Sequence, residues 1–153
     1  MRLVLQRVSQ ASVRVGDEMV AAIGPGLLVL VGVGRRETNR GVEWLAAKVA
    51  GLRVFEDGES RMNLALGDVG GEVLVVPQFT LYGDVRKGRR PSWDAAAPPE
   101  EAALWVTAFA EALERLGVPV RRGAFREHMA VELVNDGPVT ILVESPPEPG
   151  GAE

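Results

Sequence analysis

The chain contains no cysteine and a single histidine, His128, among its 153 residues. Disulfides, thiol catalysis and thiolate zinc sites are excluded, and one imidazole is too few for a protein-built transition-metal centre. No apolar run approaches the ~20 residues that cross a bilayer as a helix. The run Leu27-Leu28-Val29-Leu30-Val31 instead fits a buried strand. The opening MRLVLQRVSQ is interrupted by Arg2, Gln6 and Arg7, so it lacks the continuous apolar core of a secretory signal, and a cytoplasmic location is expected. Dinucleotide fingerprints are incomplete as well. Gly24-x-Gly26 and Gly32-x-Gly34 do not open a capped helix after a strand, so they read as turns.

What is present is apolar material: 46% of residues are hydrophobic and 25% charged, enough for one compact domain with its own core. That domain is expected to span residues 1–144, with residues 145–153, SPPEPGGAE, as a disordered tail. Net charge is −4, which does not mark a nucleic-acid binder. Yet Arg86, Lys87, Arg89 and Arg90 flank Gly88 in one short stretch. On charge alone this is a solvated loop, although such a cluster can also contact several phosphates.

The pattern predicts strands over 3–8, 12–15, 19–23 and 27–33, with Gly16-Asp17 as a hairpin turn. Asn39 is the expected cap of a helix buried through Val42, Leu45, Val49 and Leu52, with Trp44 off that stripe. Residues 53–55 read as a short strand, 56–71 as turns and loop, and 72–76 as strand. Pro99 suits the first turn of a second helix that ends at Gly117, with Trp105, Phe109, Leu113 and Leu116 facing the core. Strands over 129–134 and 139–143 flank Asn135-Asp136-Gly137-Pro138, whose Asp-Gly pair is by itself a hairpin signal.

Familiar catalytic constellations are missing. No Gly-x-Ser-x-Gly elbow accompanies His128, which reads as a polar residue entering a strand. Glu56, Asp57 and Glu59 lie in the most turn-like part of the chain and read as solvated charges. Two segments remain. Gln78-Phe79-Thr80 follows an apolar strand, where escaping backbone amides could converge on an oxyanion; taken alone, it is a strand end. Gly137-Pro138 has only a small penalty for a cis peptide; taken alone, it is a turn.

Together these segments resemble the D-aminoacyl-tRNA deacylase family. The likeness runs through Leu5-Gln6-Arg7-Val8, Gly26-Leu27-Leu28-Val29-Leu30, Met62-Asn63-Leu64, Val75-Val76-Pro77-Gln78-Phe79-Thr80-Leu81, Arg90-Pro91-Ser92 and Met129 onward into Asn135-Asp136-Gly137-Pro138-Val139-Thr140. It implies a mixed α/β fold of curved, largely antiparallel, barrel-like sheets flanked by helices. It also implies a homodimer that hydrolyses the ester of D-aminoacyl-tRNA or glycyl-tRNA, with active sites shared between subunits and no metal or cofactor. Gln78, Phe79 and Thr80 are carried over as the catalytic segment, and Gly137 and Pro138 as the element that excludes L side chains. Arg7 is carried over as the group holding the Gly-Pro carbonyls, and Met129 as a packing neighbour of that element. A threonine nucleophile would need a base that the sequence does not supply, which favours a positioning role for Thr80; the resemblance implies that the substrate's ribose 2′-OH helps activate water. In this setting Arg86, Lys87, Arg89 and Arg90 become candidates to hold tRNA phosphates. Pro77 departs from the family's usual serine and resembles a related animal branch acting on certain L-aminoacyl groups, whereas Arg7 and Phe79 favour the D-specific branch. Two rival readings are a non-catalytic RNA-binding module and a small-ester hydrolase indifferent to tRNA.

Overall fold

A computed structural model of the chain describes residues 1–149. Strands β1 (Arg2–Val15), β2 (Glu18–Ile23) and β3 (Gly26–Gly32) lead into helix α1 (Asn39–Gly51). A small hairpin, β4 (Phe55–Glu56) and β5 (Met62–Leu64), precedes the one-turn α2 (Leu66–Val69). Strand β6 (Glu72–Pro77) ends in a 3-10 turn (Phe79–Tyr82), followed by α3 (Pro99–Arg115), β7 (Val120–Arg122) and β8 (Ala130–Glu144). The main sheet runs β2-β1-β3-β6-β7, with β8 on β1 as well. The β1 pairings are antiparallel, while β3-β6 and β6-β7 are parallel. Strand β2 reaches across to β6 and β7, so the curved sheet nearly closes on itself. This is the mixed α/β, barrel-like architecture that the family resemblance implies.

Two apolar clusters explain why β3 and β6 are apolar on both faces. Leu27, Val29 and Val31 face α1 and α3, where they meet Val42, Leu45, Phe109 and Leu113. Leu28, Leu74 and Val76 face the barrel interior with Val8, Val13 and Ile23. The alternation of a strand pleat sends neighbours to opposite faces, so a strand covered on both sides reads as an unbroken apolar run.

Several local expectations need correction. The cap of α1 is Thr38, whose hydroxyl accepts from the Gly41 amide at 3.1 Å; Asn39 is the first helical residue. Residues 56–71 contain β5 and α2. Asp57 organises that hairpin turn by accepting from the amides of Glu59 and Arg61 at 2.8 and 3.1 Å. Those two amides, Arg61 foremost, hold its carboxyl below the ordinary value. Leu116 is exposed, because α3 ends before it and Gly117 turns the chain at a φ of +84°. Most consequential is β8. The expected strand-turn-strand over 129–143 is one strand that stays paired with β1 on both sides of Asn135–Pro138. From Asn135 to Thr140 the strand takes five steps while β1 takes two, from Val8 to Gln6, so these residues form a bulge rather than a hairpin. At the C-terminal end, the Ser145 hydroxyl pairs with the Met1 amino group and Glu37, so the first residue assigned to the tail is tied down. Residues 150–153 of that expected tail lie outside the described residues.

Candidate active site

Strand β6 is the rail that delivers the first segment. Its even-numbered amides serve β3, ending with Gln78 donating to Val31 O at 2.8 Å, while odd-numbered ones face β7, as Val73 does in donating to Pro119 O at 2.9 Å. The ladder with β7 stops at Val75↔Arg122, so a proline at position 77 forfeits no strand hydrogen bond. Beyond it the chain tightens into the 3-10 turn, with Leu81 N donating to Gln78 O at 3.3 Å and Gly83 N to Thr80 O at 2.9 Å. Phe79 and Thr80 open that turn, so their amides have no acceptor within it. The Gln78 side-chain amide donates to the Thr80 hydroxyl oxygen. Tyr82 anchors the far end beneath Arg2, whose guanidinium lies 4.4 Å from the ring centroid. Burial pushes the Tyr82 phenol up to about 12, against the opposing influence of Arg2.

Gln78 and Phe79 open onto a cleft of about 780 Å³ between the ends of β3 and β6, the N-terminus of α3 and the segment entering β8. Val31, Val76, Ala102 and Val106 give it an apolar floor, and Arg35, Arg126, His128 and Trp93 stand among its walls. Thr80 is exposed and does not line it. Met129 does, and on its own chain shares this cleft with Gln78 and Phe79. Sequence reading assigned no site role to Trp93, Phe125 or Arg126. The one available signal was position: Trp93 closes the same stretch that holds Gln78 and the basic loop, and Arg126 precedes His128 at the entrance to β8.

The second element lies elsewhere. Arg7, buried in β1, donates through Nε to Asp136 O at 2.8 Å and through Nη1 to Val54 O at 2.7 Å. Its guanidinium also lies 3.7 Å from the carboxylates of Glu56 and Asp136. The carbonyl it holds belongs to Asp136, the residue before Gly137. Asn135 braces the other side, its Oδ1 accepting from Val139 N at 2.8 Å. Between these supports Gly137 and Pro138 are exposed, and their peptide is cis. Strand register keeps the two elements apart on one chain. Gly137 lies in the bulge opposite Arg7, between the pairs Val8↔Asn135 and Gln6↔Thr140, whereas Gln78 sits by Val31, the partner of Leu3. Four residues along β1 and the lateral strand spacings place them roughly 15–20 Å apart.

The basic stretch forms a loop closed by a two-way backbone bridge: Asp84 N donates to Ser92 O at 2.8 Å and Ser92 N to Asp84 O at 2.9 Å. Arg86 folds back onto Asp84, with Nη2 at 2.6 Å from Oδ2. That hydrogen bond holds the Asp84 carboxyl down at about 2. Lys87, Arg89 and Arg90 are exposed and, among the described residues, enter no salt bridge. Three of the four expected phosphate contacts are therefore free cations, and the fourth is already partnered.

Comparison with known proteins bears on these elements together. Residues 4–144 match the family described as D-Tyr-tRNA(Tyr) deacylase. A D-aminoacyl-tRNA deacylase of Thermomicrobium roseum is 59% identical over 152 residues, covering 99% of both chains. One from a Roseiflexus species is 60% identical over 145 residues, covering 95% of this chain and 94% of the relative. Among solved structures, the c-Myc DNA Unwinding Element Binding Protein superposes with a TM-score of 0.90 at 41% identity, covering 96% of this chain and all of that one. A probable eukaryotic D-amino acid tRNA deacylase superposes with a TM-score of 0.81 at 20% identity, covering 94% and 98%, a likeness of fold.

Proposed function

This chain belongs to the D-aminoacyl-tRNA deacylase family, and from that premise we propose that it acts in chiral proofreading. In this reading it hydrolyses the ester joining a D-amino acid, or glycine, to tRNA and spares the L-ester. Ester hydrolysis of aminoacyl-tRNA is the family's reaction. The finer assignment rests chiefly on one observation: two backbone elements, at Gln78–Thr80 and Gly137–Pro138, face outward from separate places on one chain. In a two-fold dimer each could complete the other's site, giving two equivalent centres. Strand β8 suits such an interface, being half exposed along its length and, among the described residues, paired only with β1.

Within such a site the aminoacyl-adenosine would enter the cleft beside Phe79, with the ester carbonyl near the amides that open the 3-10 turn. Fixed N–H groups aimed at a developing oxyanion stabilise the tetrahedral transition state more than the ester itself. Thr80 serves as a positioning group, because its hydroxyl is engaged by Gln78 and it stands outside the cleft that holds His128. Gly137–Pro138 of the partner would press backbone against the chiral carbon, where an L side chain has no room and the hydrogen of glycine cannot be refused. Arg89, Arg90 and Lys87 would hold tRNA phosphates without reading the amino acid. In this reading the activity serves translation quality control in the cytoplasm.

The test is a comparison of D-Tyr-tRNA, L-Tyr-tRNA and Gly-tRNA with purified protein at one salt concentration. Fast loss of the D-ester, slower loss of the glycyl ester and survival of the L-ester are expected. Comparable loss of the L-ester would instead assign Pro77 a relaxed chirality, retention of tRNA without turnover would favour an RNA-binding module, and equal turnover of free aminoacyl esters would make tRNA irrelevant.

A further inference from the structure

We infer that Trp93 is a positioning residue for the reaction, seating the 3-10 turn whose amides receive the ester. The inference rests on the proposed placement of the ester at Gln78–Thr80. The indole meets the Phe79 ring edge-on, with centroids 5.1 Å apart and planes at 66°, a favoured geometry for an aromatic pair. Phe79 itself is 57% exposed, so little else on its own chain fixes it. The same indole covers the other end of the turn: a Cβ on Gly83 would lie 2.8 Å from its Cζ3. Gly83 has an ordinary φ of −63°, so the indole's approach, together with the Thr80 carbonyl at 3.0 Å, accounts for a glycine there.

The segment bearing Trp93 is itself secured. Ser92 is bridged to Asp84 in both directions, Ala96 N donates to Trp93 O at 3.0 Å, and Arg35 donates to Asp94 O. The indole therefore stands on a fixed base and bears on a turn held by only a few hydrogen bonds. Because the basic loop hangs from the Asp84–Ser92 bridge, phosphate contacts would anchor both the turn and the residue that seats it. A misplacement of about 1 Å in a positioning element can slow a reaction ~100-fold, and loss of the indole releases Phe79 and Gly83 together.

The experiment compares Trp93→Ala, Trp93→Leu and Trp93→Phe with wild type on D-Tyr-tRNA, alongside amide hydrogen exchange of the free proteins. Trp93→Ala is expected to lower kcat about 10- to 100-fold with KM within threefold. Trp93→Phe should restore most of kcat. Exchange at Leu81 and Gly83, whose amides close the turn, should quicken in the alanine variant while β3 and β6 keep their protection. If Trp93→Ala does not fold, Trp93→Leu, which keeps apolar bulk without the flat ring, is expected to show the same pattern more weakly. A folded alanine or leucine variant with wild-type kcat and wild-type exchange at Leu81 and Gly83 overturns the inference. So does a loss confined to KM. Wild-type protein inert on D-Tyr-tRNA would remove the deacylase reading instead; local quickening of exchange would then still uphold Trp93 as the seat of the turn, and unchanged exchange would overturn it.

Discussion

Arg7 Nε donates to the carbonyl of Asp136 at 2.8 Å, joining the first strand to the last across 129 residues of sequence. The bond matters because Asp136 precedes a dipeptide that, among the described residues, has no strand partner. A bulge of this size would otherwise be free to flex, and the steric filter proposed for Gly137–Pro138 works only if its walls stay still. With Nη1 on Val54 O at 2.7 Å, one buried guanidinium ties three segments together through backbone carbonyls, a geometry that suits the planar fork of arginine.

Arg7→Met should therefore destabilise the fold by about 3 kcal/mol, since two carbonyls lose their donor and the Glu56 and Asp136 carboxylates lose their counter-charge. Urea denaturation measures this. Arg7→Lys, with one compact ammonium, should recover only part of it. In both variants hydrolysis of L-Tyr-tRNA should rise relative to D-Tyr-tRNA. An unchanged ratio with lowered stability would confine Arg7 to a structural role.

Within the basic loop the four cations should not be equivalent. Arg89→Ala with Arg90→Ala should weaken tRNA binding and flatten its salt dependence by about 0.9 per lost phosphate contact, leaving chiral preference intact. Arg86→Ala should do much less, because Asp84 already neutralises Arg86. Conversely, Asp84→Asn should release Arg86 and steepen the salt slope. Titration of binding against potassium chloride distinguishes these outcomes; equal effects of Arg86 and Arg89 substitutions would discount the ion pair.

The Asp84 carboxyl also sets a pH expectation. Its folded value, about 2, lies below the ordinary 3.8 because the Arg86 side chain hydrogen-bonds its charged form. A lowered carboxylate value contributes stability above the unfolded pKa and loses it as pH falls through the folded one. The pair should thus hold unchanged from neutrality down through pH 4 and open only towards pH 2. NMR titration of the Asp84 carboxyl carbon, with Arg86→Ala as the reference, follows this directly.

Much of the fold was legible because burial writes itself into periodicity. Val42, Leu45 and Val49 marked α1, and the unbroken Leu27–Val31 run marked a strand covered on both faces. What escaped notice was short or decided at long range. Strand β7 is Val-Arg-Arg and exists because β6 offers it an edge. Asp136-Gly137 carries a hairpin signature, but pairing of both flanks with β1 overrides it. Gln78 and Gly137 could be named from their motifs; Trp93 could not, since its meaning lies in contacts with Phe79 and Gly83 that local sequence does not encode.

The catalytic assistance from the substrate that the family resemblance implies gives a further expectation. Replacing the terminal ribose 2′-OH by hydrogen should greatly slow hydrolysis with little loss of binding, as for a group that acts mainly in the transition state. Thr80→Ala should cost less. Single-turnover rates on the 2′-deoxy ester measure the difference; undiminished turnover would return the role of nucleophile or base to a side chain, with His128 in the cleft the first to be substituted.

A site shared between two subunits, as proposed, makes the most demanding prediction. One variant carries changes at Gln78 and Thr80 that block catalysis, and another carries changes at Gly137 and Pro138 that admit L-esters. If the two elements meet across a two-fold dimer, a mixed dimer contains one site with both defects and one with neither. After co-refolding and isolation of the mixed species by two different affinity tags, it should hydrolyse D-Tyr-tRNA at about half the wild-type rate per dimer and spare L-Tyr-tRNA. The roughly 15–20 Å that register places between the elements on one chain is the reason to expect this outcome. A mixed dimer that instead hydrolyses L-Tyr-tRNA as the Gly137/Pro138 variant does would mean that both elements serve the same subunit, and the bulge opposite Arg7 would then need another role.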